Sequence, residues 1–570
     1  MPNLKKRWQV PPRIPPDTEQ ALSKYPPILR QILFNRGYPT PEDAERYLEA
    51  EPPQGTEAHN MLGVPQAADR LVDAIQSGES IAVYGDYDAD GVTATALLVQ
   101  VLEALGATVQ GYIPNRFDEG YGLNFEALDS LHQDGVRLVV TVDCGIRAID
   151  EVEHANRLGL DLIVSDHHHP ASSLPPAFAV INPKQPEDEY PEKYLAGVGL
   201  AYKLALGLTD TLAARGVGIP GELAPANLLD LVALGTVADM APLVGENRAL
   251  VRQGLDSMRA PRRQGLLSLM GAAGVDPQRI TSTQIGFVLG PRLNAAGRLD
   301  SALAAYRLLT TRDFMEAGKL AQMLDVQNRE RQQITREIQA HAEALALAED
   351  PDTLLIFAAH RDFNPGVVGL AASRLTETYY RPSIVAHQGE EFTRASCRSI
   401  PEFHITDALD ECAELLDHHG GHAAAAGFTV RNERLAELIA KLRGIAQREL
   451  ADFDLQPTLT ADVEVPLVDL RPELLSQLDR LQPTGYGNKQ PLFLSHGVQI
   501  KHARTVGKDN AHLKLAVSDG WITFDAIAFR QGDWIDAMPK NVDLIYTFER
   551  NEFNGRVTLQ LNVQDLKPSN

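Results

Sequence analysis

The stretch GDYDADGVTAT at 85–95 constrains this chain more than any other. Asp86, Asp88 and Asp90 recur at every second position, where the strand-like run SIAVYGD gives way to the helix-like run TATALLVQVLEALG. Carboxylates this dense repel one another unless a cation lies among them. An EF-hand calcium loop also opens D-x-D-x-D-G, but it needs a helix in front and a Glu at its twelfth position. Here a strand precedes, and the twelfth position from Asp86 is Leu97, so the EF-hand reading is set aside.

Around this motif the chain alternates. ATVQGYIP, RLVVTVD and LDLIVSD read as further strands, and NFEALDSLHQDG and IRAIDEVEHANRLG as the helices between them. Strands alternating with helices of this length predict a parallel sheet covered on both faces, with ligands at the carboxyl ends of the strands. Each strand runs into a polar residue at that end: Asp86, Asn115, Asp143 and Asp166. From Lys319 to Asp350 there is no Gly or Pro, and Leu320, Leu324, Ile334, Ile338 and Leu345 keep near-helical spacing. A helix of about 30 residues, roughly 45 Å long, is expected there. TLLIFAAH and PSIVAH flank a helix in VVGLAASRLTETY and predict a second α/β domain. Five alternating runs in the tail, from VQIKHARTVG to RVTLQLNVQDL, predict a small β-barrel of the OB type. The expected architecture is α/β: an N-terminal extension over 1–60, a parallel-sheet domain over 61–312, a connecting helix over 313–350, the second α/β domain over 351–450 and the barrel over 458–570.

Composition bounds the function class. A chain of 570 residues with 44% apolar and 23% charged residues has the makeup of a folded, several-domain protein. Cys144, Cys397 and Cys412 are far apart, which argues against a disulfide framework or a CxxC zinc site and fits a cytoplasmic location. No apolar run is long enough for a membrane span, and the first residues lack a secretory h-region. The formal charge of −23 speaks against a nucleic-acid partner when taken alone. Carboxylates that hold cations are neutralised in the working protein, however. The tail from 457 to 570 is also near balance, with 12 Lys and Arg against 14 Asp and Glu.

SDHHHP at 165–170 is the second chemical signal, since it follows a strand at the same sheet edge. Asp143 in TVDCG ends another strand, and Asp239 in ALGTVADMAPL follows an apolar helix. Four separated segments therefore offer Asp and His at one rim. Mixed Asp/His ligation suits Mn²⁺ or Mg²⁺, and a pair of such ions is the usual device for cutting phosphodiesters in line. No GxxxxGK[ST], HExxH or GxSxG occurs, so the chemistry of those motifs is not expected.

D-Y-D-A-D-G, V-D-C-G, D-H-H and the A-D of GTVAD resemble, in order, the four motifs of the DHH phosphoesterase superfamily. GPRLNAAGRL at 290–299, RASCRSIPEF at 394–403, GGHAAAAGF at 420–428 and PTGYGNKQPLF at 483–493 are similar to segments of its RecJ family. The resemblance runs from about 60 to the C-terminus. Its departures are the PTGYGN segment and a third histidine, His169, and neither touches a metal motif.

The resemblance implies a two-metal site of Asp86, Asp88, Asp90, Asp143, His167, His168 and Asp239. Asp166 would orient the histidines, and His169 would be structural. It further implies a 5′-phosphate pocket using Arg116, Ser396 and Arg398, and a substrate path past Arg292, Asn294 and Arg298. His422 would lie against the scissile phosphate, with the GGHAAAAG glycines at a helix N-terminus and His418 and His419 at a helix end. Tyr121 either stacks a base or packs in the core. The implied activity is 5′→3′ hydrolysis of single-stranded DNA to 5′-mononucleotides in recombination and repair. Two Mn²⁺ or Mg²⁺ would serve it, and a monomer would work beside a helicase and a single-strand-binding protein. Two rivals stand: a DHH phosphodiesterase acting on short oligonucleotides, cyclic dinucleotides or pyrophosphate, and a non-catalytic scaffold. The barrel discriminates against the first, and the complete set of motifs against the second.

Overall fold

The apolar runs pair as a parallel sheet. β1 (Ser80–Tyr84), β2 (Thr108–Tyr112), β3 (Val136–Val142), β4 (Asp161–Ser165) and β5 (Ala179–Ile181) stand in the order β2-β1-β3-β4-β5. The chain thus reverses direction across the sheet between β1 and β3. In open α/β sheets that reversal opens a crevice beyond the strand ends, because the following loops leave to opposite sides. β5 goes beyond the expected strands; three residues inside a loop-rich stretch give almost no periodic signal.

The computed structural model describes residues 5–553 and 556–569. They form two compact units, one of Pro41–Arg329 with Arg480–Gln490, the other of Met1–Thr40, Glu330–Asp479 and Pro491–Asn570. In the first, α1 (Ala89–Ala104) buries 13 of its 16 residues. A helix without a polar face must lie inside. α1 packs between the sheet and two further helices, α4 (Gly197–Ala214) and α5 (Leu229–Ala238). The expected α2 (Phe125–Gln133) and α3 (Ile149–Leu158) pack on the other face with Leu128, Leu131, Val152 and Ala155. α6 (Gly290–Leu299) carries the GPRLNAAGRL segment.

The segment 480–490 belongs to this first unit rather than to the barrel. Arg248, buried, donates to the carbonyls of Arg480, Leu481 and Pro483, and to that of Tyr47. A buried guanidinium with several carbonyl acceptors is satisfied, and removing it would strand those acceptors.

The long helix is present as α7 (Phe314–Glu349), 36 residues and about 54 Å. The second unit holds a mixed sheet of β6 (Ile356–His360), β7 (Ser383–Gln388), β8 (Phe392–Arg398), β9 (His418–His422) and β10 (Ala425–Arg431). Their order is β9-β10-β8-β7-β6. α8 (Val368–Tyr379) and α9 (Leu435–Leu450) belong to the same unit. The barrel follows: β11 (Phe493–Val506), β12 (His512–Ser518), β13 (Thr523–Ala528), β14 (Asn541–Phe553) and β15 (Arg556–Pro568). β11 pairs with both β12 and β14, which closes five strands as an OB-fold.

Two expectations are corrected here. The segment 1–60 is not one extension: residues up to Thr40 join the second unit and Pro41 onward the first. Arg7–Gln9 pairs in parallel with Thr458–Thr460, and Trp8 Nε1 donates to Asp565 Oδ2 at 2.7 Å. The other concerns GGHAAAAG, which is a β-hairpin and not a helix N-terminus; His418 and His419 lie on β9. Gly421 has φ +151°, and a Cβ there would come 2.4 Å from Ala425 O. Its glycine thus serves strand pairing.

Candidate active site

Each carboxylate of the first motif is fixed by local backbone. Asp88 caps α1, its Oδ1 accepting from the N–H groups of Asp90 at 2.8 Å and Gly91 at 3.1 Å. Two residues on, Asp90 accepts from Gly197 N–H at 2.6 Å and Val198 N–H at 2.9 Å, so it in turn satisfies the start of α4. The two glycines here are steric necessities. A Cβ on Gly91 would lie 2.6 Å from the Asp86 backbone, and one on Gly197 would lie 2.6 Å from Asp143 Cβ. Asp143 follows β3 in the left-handed region, at φ +63°. That backbone turn sets its carboxylate across the crevice from Asp86 and Asp88.

His167 and His168 follow β4. His167 Nε2 lies 3.1 Å from Asp143 Oδ1 and 4.0 Å from both Asp90 Oδ2 and Asp239 Oδ2. Its ring bonds to the Leu195 backbone, and Nε2 has no hydrogen-bond partner. The bond is therefore made through Nδ1, and Nε2 keeps its lone pair. Asp86 Oδ1 and Asp143 Oδ1 are likewise buried without a partner. Three buried electron-pair donors left unsatisfied in one crevice fit divalent cations.

The ligand atoms fall into three groups, each within 4.8 Å: Asp86, Asp88 and Asp143; Asp90, His167 and Asp239; and Asp143, His167 and His168. Sharing of Asp143 and His167 between groups is what two adjacent ions require. The electrostatics agree. Burial, then the charge of Asp88, pushes Asp86 up to about 8 and Asp90 up to about 7. Asp239, capping α5, is pushed up to about 9 by burial and then by Asp90. Asp143 is raised well above the usual range by burial and then by Asp90. His167 is pushed down to about 3 by burial, and so is a neutral ring at neutral pH.

Asp166 is buried, and its Oδ1 lies 2.7 Å from His168 Nδ1. Its Oδ2 accepts from Ile146 N–H at 3.0 Å. His168 is raised in pKa: burial opposes, but the Asp166 carboxylate outweighs it. Sequence reasoning missed two supports of this loop. Asn182 Nδ2 donates to the His168 carbonyl at 2.8 Å, and Lys184 Nζ donates to that of His167. Both follow β5, the strand without a sequence signal. Arg147 donates to the His169 carbonyl at 2.8 Å.

The candidate substrate residues separate. Tyr121, 54% exposed, sits edge-on to His168 and to Tyr87, and Arg116 lies 5.0 Å over the Tyr87 ring. Asn294 Oδ1 accepts from Ala89 N–H at 2.7 Å, so it joins the first motif's cap. Arg298 stands in the last turn of α6 beside Gly297, where a Cβ would come 2.5 Å from the Tyr87 carbonyl. Arg292 is turned away to Asp325, 2.9 Å, and to the Val288 carbonyl. Ser396, Arg398 and His422 lie in the second unit. Ser396 and Arg398 share a face of β8 over the start of α8: a Cβ on Gly369 would meet Ser396 Oγ at 3.3 Å and Arg398 Nη2 at 3.2 Å. Burial pushes the Arg398 guanidinium down. Among the described residues it has no carboxylate partner; its side chain donates to the Cys397 carbonyl. His422 is exposed at the hairpin end.

A parallel sheet whose switch point gathers Asp and His from four motifs defines the class: a DHH-type phosphoesterase. Profiles for "DHH family, N-terminal domain", "DHHA1 domain" and "RecJ OB domain" match residues 80–236, 352–448 and 461–565. The chain is 37% identical over 568 residues to "Single-stranded-DNA-specific exonuclease RecJ" of Bacillus subtilis, spanning 98% of this chain and 71% of that protein. To its Escherichia coli namesake it is 36% identical over 590 residues, spanning 99% and 100%. RecJ of Thermus thermophilus in complex with Mn²⁺ superposes with a TM-score of 0.85 at 32% identity, covering 99% of this chain and 80% of that one. The chain belongs to the RecJ family.

Proposed function

We propose that this chain is a single-stranded-DNA-specific exonuclease that releases 5′-mononucleotides from the 5′ end, in recombination and repair. The observation that carries the reading is the pair of adjoining ligand groups, Asp86, Asp88 and Asp143 beside Asp90, His167 and Asp239, which Asp143 and His167 link through a third group with His168, in a chain whose relatives are named single-stranded-DNA-specific exonucleases. Asp86, Asp88 and Asp143 would hold one Mn²⁺ or Mg²⁺, and Asp90, His167 and Asp239 the other. Bound there, the ions supply Lewis acidity toward water and the phosphoryl oxygens.

The chain's own part is to gather those donors and hold them still, with the raised carboxylates giving up their protons as cations enter. Asp166 keeps His168 in one orientation, so that its Nε2 is the ring nitrogen left for the phosphate or a cation. Ser396 and Arg398 offer an anion site whose guanidinium, lacking a carboxylate, suits a terminal 5′-phosphate. Such an enzyme needs single strands supplied to it. That favours a helicase and a single-strand-binding protein as partners, with the chain acting as a cytoplasmic monomer.

The test is digestion of single-stranded DNA labelled at either end, with Mn²⁺ or Mg²⁺. Labelled mononucleotide should appear at once from the 5′ label and late from the 3′ label. Release from the 3′ end, or endonucleolytic fragments alone, would overturn the reading.

A further inference from the structure

Between β2 and α2 runs a loop, residues 113–124, that carries Arg116 and Tyr121 to the rim of the crevice. Arg116 stands over the Tyr87 ring, and its charge reaches Asp86. Among the described residues it has no hydrogen-bond or ion-pair partner. The Tyr121 hydroxyl lies 3.4 Å from the Asp143 carbonyl oxygen and 3.4 Å from His168 Nδ1. From Asn115 to Tyr121 the loop buries no apolar side chain. Polar bonds must therefore hold it in place.

Those bonds meet at one carboxylate. Glu119 Oε1 accepts from Asn115 N–H at 2.7 Å, and Oε2 accepts from the Tyr112 hydroxyl and from Asn124 Nδ2, the latter at 3.3 Å. The Glu119 N–H donates back to the Asn115 carbonyl at 2.8 Å. Each donor belongs to structure already fixed. Tyr112 ends β2, and its ring stacks on Tyr84 at 4.9 Å. Tyr84 ends β1, two residues before Asp86, and its hydroxyl donates to the Gly122 carbonyl at 2.9 Å. Asn124 caps α2 with its oxygen on Ala127 N–H at 2.7 Å, which turns its amide nitrogen to Glu119 and the Tyr84 hydroxyl. All three donors to Glu119 are neutral, so its charge is engaged inward. A loose carboxylate three residues from Arg116 could pair with that guanidinium and occupy the donors a phosphate would use.

We propose that Glu119 is a positioning residue for strand cleavage: it locks the loop to the ends of β1 and β2, so that Arg116 stays unpaired for a substrate phosphate and Tyr121 stays at the crevice. This rests on the function proposed above and adds a residue to it. Glu119 belongs to none of the cation-ligand groups, so its effect passes through Arg116 and Tyr121. The loop is thereby set by the same strand, β1, that delivers Asp86, and the phosphate contact and the cation site share one frame.

The experiment measures kcat and KM on 5′-phosphorylated oligo(dT) in Mn²⁺ for full-length wild type, E119A, E119Q, R116A, E119A/R116A and Y112F. Thermal melting verifies folding, and the Mn²⁺ concentration for half-activation reports on the cation site. E119A should lower kcat/KM about 10- to 100-fold, chiefly through KM, since misplacing a positioning group by about 1 Å costs up to about 100-fold. Its Mn²⁺ requirement should stay within about twofold of wild type. E119A/R116A should be within about threefold of R116A alone, because two residues acting as one unit are not additive. E119Q should recover most of the activity, since Gln keeps an acceptor for Asn115 N–H and offers a donor to the Tyr112 oxygen. Y112F, which removes one of three donors, should fall between wild type and E119A. Folded E119A with wild-type kcat/KM, or losses that multiply in the double variant, would overturn the proposal. Should E119A not fold, Y112F decides, and an unchanged kcat/KM there overturns it equally. If wild type itself fails to degrade single strands from the 5′ end, it is the catalytic reading that falls.

Discussion

Asp166 grips His168 twice, its Oδ1 accepting from the backbone N–H at 3.0 Å and lying 2.7 Å from ring Nδ1. One buried carboxylate thereby sets both the turn and the ring. Asp166→Asn keeps the shape and removes the charge. It should lower kcat about 10- to 100-fold and raise the Mn²⁺ concentration for half-activation, as loss of a supporting bond to a ligand does. It should also lower the His168 pKa, which NMR titration of the ring in the cation-free protein would read. A variant with unchanged kcat, metal requirement and ring pKa would make Asp166 a turn residue only.

Gly197 tests the crevice from its wall. In Gly197→Ala the methyl would intrude on Asp143, 2.6 Å from its Cβ and 2.9 Å from its carboxyl carbon. Overpacking of this kind costs about 1–3 kcal/mol, and here it displaces a shared ligand. A lower Tm and weaker cation activation are expected together. Gly199→Ala, whose methyl meets only Leu195 at 3.4 Å, is the control. Equal behaviour of the two variants would show that the wall does not govern the site.

The raised carboxylates predict an unusual dependence of stability on pH. Asp86 at about 8 and Asp239 at about 9 keep protons in the folded, cation-free protein, while unfolded carboxyls titrate near about 4. The folded state then binds more protons, so stability falls as pH rises through the folded values. His167, lowered to about 3, acts in the opposite sense below about 6.5, which leaves pH 7–9 as the clean window. In EDTA the Tm should drop from pH 7 to 9, and the gain from Mg²⁺ should grow over the same range. A flat or rising Tm in EDTA would show that these carboxylates ionise without a cation.

Arg398 carries the prediction about direction. Removing its charge-assisted bonds should cost about 1.5–3 kcal/mol, roughly 10- to 100-fold in kcat/KM on 5′-phosphorylated strands. Strands ending in a 5′-hydroxyl should be hardly affected by Arg398→Ala, so the preference between the two ends narrows. Matched oligonucleotides measure this, and a variant that keeps the full wild-type preference would place the terminal phosphate elsewhere.

Much of this was legible along the chain. Strands and helices announce themselves by near-neighbour periodicity, and Asp86, Asp143 and His167 are found by standing where an apolar strand stops. What a string cannot carry is which strand lies beside which. The order β2-β1-β3-β4-β5 alone sets Asp143 against Asp86, and α4 must arrive for Asp90 to be held by Gly197 and Val198. In sequence Arg292 resembles Arg398, a basic residue among small ones; Asp325, 33 residues on and on α7, takes it up in the fold. The glycines and alanines around Gly421 suit a helix start or a hairpin equally, and only pairing with β8 through β10 decides between them. Residue types and spacing along the sequence determined which groups are available for chemistry. The tertiary structure decided which of them share a cation, because that depends on distances through space between segments as far apart in the chain as Asp86 and Asp239.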